Sequence, residues 1–328
     1  SRITRLGYIN SPPSLISPPG SPQQLPPISS SSPFSDSSVS LPPPSTRAQR
    51  SLTNTSFNPG PVVNRGYYAR VCCVDKAVRH FLSTSAGKRQ IVEVGAGASD
   101  LYRRIEGDML EGGMLEGGSL EDFSGLSYYR VDFRDVLSQN PATATATAAA
   151  TATAARMKMK IQVKDVPMDL KDATPNFDAD IGIDPGVNTL FIFECSLMYL
   201  PPPSHTVLLA SCRSSPKYSV CIFDPIVFGL CGDRKQTRFG EMMVDNLTRA
   251  GIAREDLTKA GSLEKWAELI GGERKEEWGL GWWGTMKEAW NCEGLVGKEG
   301  RTKCEGIEML DEVEEFHMIM DHYFFAYV

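Results

Sequence analysis

The stretch Gln90–Arg104, QIVEVGAGASDLYRR, constrains the fold more than any other part of the chain. Ile91, Val92 and Val94 form an apolar run that leads straight into Gly95-Ala96-Gly97, and a helix-like segment follows. A buried parallel strand hands a glycine turn to a helix in this way, and the turn is where a ligand is received. A dinucleotide fingerprint needs a third glycine, which lets helix and strand pack closely. That position is Asp100. The dinucleotide reading is therefore incomplete, and Glu93, just ahead of the turn, is a clue of a different kind.

Further along, apolar runs alternate with helical spacing. A helix is expected over Val78–Leu82. Strands are expected at Gln90–Val94, Ser127–Asp132, Lys160–Lys164, Thr189–Phe193 and Tyr218–Asp224. Between the last two, PPPSHTVLLASCR reads as a helix with a proline start. Met242, Met243 and Leu247 give helical spacing to Gly240–Arg249, and Ser262 caps a helix in SLEKWAELI. EMLDEVEEFHMIMDH reads as helix and YFFAYV as a last strand. Strands separated by helices imply an α/β fold with a doubly wound, mostly parallel sheet.

Low-complexity tracts interrupt this pattern. Residues 1–60 are dominated by Ser and Pro, a composition that buries too little apolar surface to offset chain entropy, so a disordered leader is expected. A repeat over residues 107–122 and an alanine-threonine tract over 142–155 read as loop insertions, which leaves 61–328 as one folded domain. The sequence starts without methionine, as a fragment or processed product would.

The chain has 328 residues and a net charge of −6, with no dense Lys/Arg run, so no nucleic-acid partner is expected. It has no apolar stretch long enough to span a bilayer and no apolar signal core near the start, so no membrane partner is expected. The eight cysteines form no C-x-x-C pair, which fits a reduced, cytoplasmic protein. The four histidines carry no metal signature: His317 and His322 stand five apart, on different helix faces. A monomer is expected.

In open α/β sheets ligands bind beyond the C-terminal ends of the strands, near the point where strand order reverses. The first strand ends at Gly95 and Gly97, whose missing Cβ atoms let backbone approach a ligand. The second ends at Asp132, a carboxylate able to accept from two ribose hydroxyls. The third is followed by Asp169 and Leu170, an acceptor and an apolar group suited to an adenine edge. The fourth ends at Glu194. Each signal alone is weak: Asp132 also fits a helix cap, and Glu194 fits a structural salt bridge. Together, and with one glycine too few for a dinucleotide, they favour an adenosyl cofactor.

Several segments resemble the leucine carboxyl methyltransferases. They are NRGYYARV (Asn64–Val71), QIVEVGAG (Gln90–Gly97), YYRVDF (Tyr128–Phe133), Asp169-Leu170, TLFIFECSLMYLPP (Thr189–Pro202), TRFGEMMVDNL (Thr237–Leu247) and the C-terminal EMLDEVEEFHMIMDHYFFAYV. A short echo lies in ITRLGYINSP (Ile3–Pro12). The resemblance implies a Rossmann-like methyltransferase that uses S-adenosylmethionine to esterify the C-terminal leucine carboxylate of the protein phosphatase 2A catalytic subunit. It implies that Arg70 holds a carboxylate, that Gly95 and Gly97 line the cofactor's methionine portion, and that Asp132 takes the ribose hydroxyls. Asp169 and Leu170 would take the adenine, Glu194 the cofactor's amino end, and Tyr199 and Arg238 would meet the entering peptide. Arg70 and Tyr199 would be the catalytic residues. The chain departs from the family at Ala98-Ser99-Asp100, where an Asp-Thr pair is usual, and in the Ser/Pro tract that interrupts the N-terminal segment. Rival readings are a relative acting on a small molecule or a tRNA base, a phosphatase-tail-binding module without catalysis, and a nicotinamide oxidoreductase. The bland readings are core or loop packing for Trp278, Trp282 and Trp283, and a solvated helix face for the acidic run near the end.

Overall fold

The computed structural model describes residues 60–85, 87–106, 125–139, 161–173, 176–226, 238–260, 263–271 and 274–328. The Ser/Pro leader, both expected insertions, Cys231 and the capping Ser262 lie outside them. The described chain builds a seven-stranded sheet. In chain order the strands are β1 Arg89–Val94, β2 Leu126–Asp132, β3 Gln162–Pro167, β4 Asn188–Glu194, β5 Tyr218–Pro225, β6 Trp282–Thr285 and β7 Tyr323–Tyr327. Their order across the sheet is β3-β2-β1-β4-β5-β7-β6. The first five strands are parallel, and β7 pairs antiparallel with both β5 and β6. This is the expected doubly wound, Rossmann-like sheet with an antiparallel edge added.

The central strands read as continuous apolar runs because helices cover both faces. Every residue of β1 is buried. Ile91 packs on one face with the helix α1, Pro61–Thr84, while Val92 and Val94 pack on the other. Proline at the first position starts α1, since its missing N–H would have had no helical acceptor there. The opposite face is covered by α5, Pro202–Ser211, through Leu208 and Leu209, and by α8, Leu263–Ile270, through Trp266. The remaining helices are α2 Leu101–Glu106, α3 Arg134–Gln139, α4 Phe177–Ile181, α6 Arg238–Arg249, α7 Arg254–Ala260, α9 Met286–Asn291, α10 Gly297–Ile307 and α11 Val313–Met320.

Two expectations need correction. The third strand begins at Gln162 rather than Lys160 and runs to Pro167. It is an edge strand, mostly exposed, so apolar periodicity could not mark its ends; pairing of Ser127 with Gln162 through Asp132 with Pro167 sets them. The last helix covers only Val313–Met320, because Glu308 is drawn out to cap α10 and accept from Asn64 on α1 (2.9 Å). Trp282 and Trp283, read as core or loop packing, lie in the strand β6 and pack on the core. Trp282 is fully buried and packed edge-on against Trp278.

Candidate active site

Strand order reverses between β1 and β4: the chain moves outward through β2 and β3 and then returns to the other side of β1. A crevice opens at such a point because the two connections leave in opposite directions. On its β1 side, Gly95 (φ +75°) and Gly97 (φ +53°) both adopt left-handed backbone. The turn they make sends three N–H groups toward β2. Gly95 and Ala96 donate to the Val131 carbonyl (2.8 and 3.2 Å), and Gly97 donates to Asp132 Oδ2 (2.7 Å). The other Asp132 oxygen accepts from Phe133 N–H (2.7 Å). Among the described residues each oxygen accepts this one hydrogen bond, which leaves it a second lone-pair direction.

Gly95 also explains how closely the two connections approach. A Cβ there would lie 2.5 Å from Ser196 Cβ, on the loop after β4. At the position of the absent third glycine, Asp100 instead pairs with Arg104, which also reaches the buried Asp75 of α1 (2.9 Å). An acid at that position ties α2 to α1, where a glycine would have packed against the sheet.

The β4 side of the crevice is charged. Arg70 comes from α1 and Glu194 from the end of β4, and their Nε and Oε1 atoms lie 2.8 Å apart. The approach is too bent for a hydrogen bond, so among the described residues that buried N–H has no acceptor. The guanidinium is flanked by aromatic rings, Tyr67 at 4.8 Å and Phe223 at 5.8 Å. Phe223 in turn stacks on Tyr323 at 5.3 Å. An arginine held between rings, with an acid alongside, is preorganised to receive a carboxylate.

Beneath the glycine turn lies Glu93, fully buried and accepting from Tyr128 O–H (2.8 Å). Burial pushes its carboxyl up to about 7, against hydrogen bonds from Ser99 and Tyr128 that favour the charged form, and the Glu194 carboxylate adds to the rise. Asp224, at the end of β5, is likewise pushed up to about 7 by burial, although backbone N–H groups of the Leu197–Tyr199 turn oppose it. Cys195, between Glu194 and that turn, is raised to about 12 chiefly by burial, so it is a thiol rather than a nucleophilic thiolate.

The fold thus brings Gly95, Gly97, Asp132, Arg70 and Glu194 to one end of adjacent strands. Asp169 and Leu170 follow β3 at the same end, and Met168 N–H donates to the Asp132 carbonyl (2.9 Å). Asp169 turns its Oδ1 onto Lys171 N–H (2.9 Å), capping its own turn, and Leu170 is nearly buried against the core. Tyr199 is 53% exposed on the loop after β4. Arg238 opens α6, exposed; the next residue, Phe239, packs on His322 at 4.8 Å, but no hydrogen bond or ion pair among the described residues joins Arg238 to Arg70, Glu194 or Tyr199.

Sequence reasoning missed Tyr67, Phe223, Ser196 and Asp224. Asp224 was within reach, since it is an acid at a strand end like Asp132. Tyr67 stands one helical turn before Arg70, also a readable signal. Phe223 and Ser196 had none, because their roles depend on which strands are neighbours.

Among the described residues no helix is long and apolar enough to cross a membrane. The pattern of the family described as "Leucine carboxyl methyltransferase" matches residues 34–212, more than half of the chain. "Leucine carboxyl methyltransferase 1" of Yarrowia lipolytica is 26% identical over 273 residues, covering 80% of this chain and 77% of that protein. The "Leucine carboxyl methyltransferase 1 homolog" of Arabidopsis thaliana is 26% identical over 276 residues, covering 81% and 77%. "tRNA wybutosine-synthesizing protein 4" of Homo sapiens is 25% identical over 286 residues, covering 80% of this chain but 38% of that protein. With the family pattern spanning the glycine turn, Asp132, Glu194 and the Arg70 helix, the chain belongs to the leucine carboxyl methyltransferase family.

Proposed function

We propose that this protein methylates the α-carboxylate of a C-terminal leucine with S-adenosylmethionine, giving a leucine methyl ester and S-adenosylhomocysteine. The acceptor proposed is the catalytic subunit of protein phosphatase 2A. The observation that carries the reading is the Arg70–Glu194 pair beside the Gly95 turn. An amino-acid zwitterion needs a cation for its carboxylate and an anion for its ammonium within a few ångströms of each other. A buried arginine N–H without an acceptor, an adjacent glutamate and a backbone with no Cβ in the way meet that need. Asp132 has open lone pairs for ribose hydroxyls, and Asp169 and Leu170 stand next along the sheet for the adenine. The residues present therefore fit the cofactor.

When bound, S-adenosylmethionine supplies an electrophilic methyl group on a sulfonium. The chain's own residues have no proton to move, because a terminal carboxylate has a pKa near 3.5 and is already ionised at neutral pH. Their work is alignment and desolvation, which can supply ~7–11 kcal/mol. Arg70 holds carboxylate charge, with the Tyr67 and Phe223 rings flanking its guanidinium. Tyr199 and Arg238 are proposed to meet the peptide.

The first test is transfer of labelled methyl from S-adenosylmethionine to the phosphatase subunit, intact and without its last leucine. Base-labile label on the intact subunit alone is expected; label on both, or on neither, overturns the acceptor. Arg70→Ala is expected to lower kcat/KM at least about a hundredfold and weaken cofactor binding by calorimetry. Arg70→Lys recovers only part of this, since an ammonium lacks the planar fork. Turnover and affinity both unchanged in Arg70→Ala would remove that residue from the reading. A second reading is a tRNA base as acceptor, favoured by the match to the wybutosine-synthesizing relative. Label on tRNA in the same assay would select it.

A further inference from the structure

The short turn Leu197–Tyr199 after β4 is held from both ends by buried groups that the proposed chemistry does not use. Its first amides have no side-chain cap from Ser196. Asp224 supplies one instead. Oδ2 accepts from Leu197 N–H (3.1 Å) and Oδ1 from Met198 N–H (3.1 Å), with Asp224 fully buried. At the other end, His205 Nε2 lies 2.7 Å from the Leu197 carbonyl and 3.0 Å from the Leu200 carbonyl. Two carbonyl acceptors on one ring nitrogen require that nitrogen to carry the proton. His205 is itself stacked on Trp266 of the core, centroids 5.7 Å apart.

The backbone entering this turn is strained. Cys195 has φ +52°, the left-handed region for a residue with a side chain, and such a residue persists only where its surroundings hold it. The bend leaves Glu194 facing Arg70 and carries Tyr199 outward, 53% exposed. Asp224 follows Phe223 in β5, so strand alternation sends it to the opposite sheet face from the ring beside the Arg70 guanidinium, where it bonds the turn.

The geometry points to Asp224 as a positioning residue for the acceptor side of the site, acting through Tyr199, with His205 as the second half of the same clamp. This deepens the proposed function and rests on it, because Tyr199 matters only if a peptide end enters there. The carboxylate is needed rather than an amide: both of its oxygens accept, whereas asparagine has one acceptor and would set an NH2 against an N–H.

The test uses the full chain, with a phosphatase 2A tail peptide ending in leucine as acceptor. Asp224→Asn is expected to raise the peptide KM about tenfold while the cofactor Kd stays within about twofold. His205→Phe, which keeps the ring over Trp266 but removes the donor, is expected to act in the same direction. Asp224→Asn combined with Tyr199→Ala should be no worse than Tyr199→Ala alone. Additive losses, or a loss confined to cofactor affinity, overturn the assignment. Amide exchange at Leu197 and Met198 reads the clamp independently of any acceptor, and should speed up about tenfold or more in Asp224→Asn. If the wild type transfers no methyl to the peptide, the proposed acceptor fails, and exchange still decides the clamp: unchanged exchange overturns it, faster exchange supports it.

Discussion

Gly95 meets two separate demands, and a substitution separates them. Its φ of +75° disfavours any side chain, and its Cα faces Ser196 at a distance that leaves no room for a methyl group. Gly95→Ala is expected to cost about 2–4 kcal/mol in urea unfolding, from a left-handed alanine plus the clash. Adding Ser196→Gly should return the clash portion and leave the backbone portion. A full rescue would mean that conformation matters little there. Glu93 is the second informative position. Its carboxyl stands near 7 in the folded chain against 4.5 as its ordinary value, so the folded state holds the proton more tightly. Its contribution to stability is therefore full below pH ~4.5 and is lost as pH rises through about 7. Glu93→Gln removes that loss. Relative to wild type, the variant should gain about 3 kcal/mol of stability between pH 4 and pH 8. A difference that stays flat across that range would show that Glu93 titrates as an ordinary carboxyl.

The helices that present the site are joined by charge as well as by packing. Arg104 on α2 reaches Asp75 on α1 (2.9 Å), with Asp75 fully buried, and also pairs with Asp100 at the start of its own helix. The glycine turn and the Arg70 helix are thereby held as one body. Breaking a buried pair from one side leaves a charge without that partner. Arg104→Met should destabilise the protein by about 3 kcal/mol and, because α2 follows the glycine turn, weaken S-adenosylmethionine binding as well. Asp75→Leu added to Arg104→Met should recover much of the stability, since a buried pair replaced by apolar groups of similar size is often neutral. Stability lost equally in single and double variants would show that Asp75 is satisfied elsewhere. These elements were legible to different degrees for a physical reason. The strands β1, β4 and β5 are covered on both faces, so their apolar runs announce them. The exposed edge strand β3 carries no such run, and β6 is only four residues long, formed where Trp282–Thr285 meets β7.

The sheet as a whole depends on its last strand. β7 lies between β5 and β6, and Phe324, Phe325 and Ala326 are completely buried within it. Removing Tyr323–Val328 takes away both neighbours' partner and opens the β5 edge, an apolar template for pairing with other chains. A chain ended after His322 is expected to aggregate or stay unfolded, as read by circular dichroism and light scattering; a soluble, cooperative product would show that the five parallel strands suffice. The alternation of strand and helix, the glycine turn, Asp132 and Glu194 were all set by sequence, because burial on both faces and a strand end leave periodic and positional marks in the residues themselves. Which ends become neighbours leaves no such mark. The meeting of Arg70 with Glu194, the contact that forbids a side chain at Gly95, and the Asp224 hold on the Tyr199 turn arise only when β4 returns beside β1, since pairing between distant segments is decided by sheet order and by no local preference of the chain.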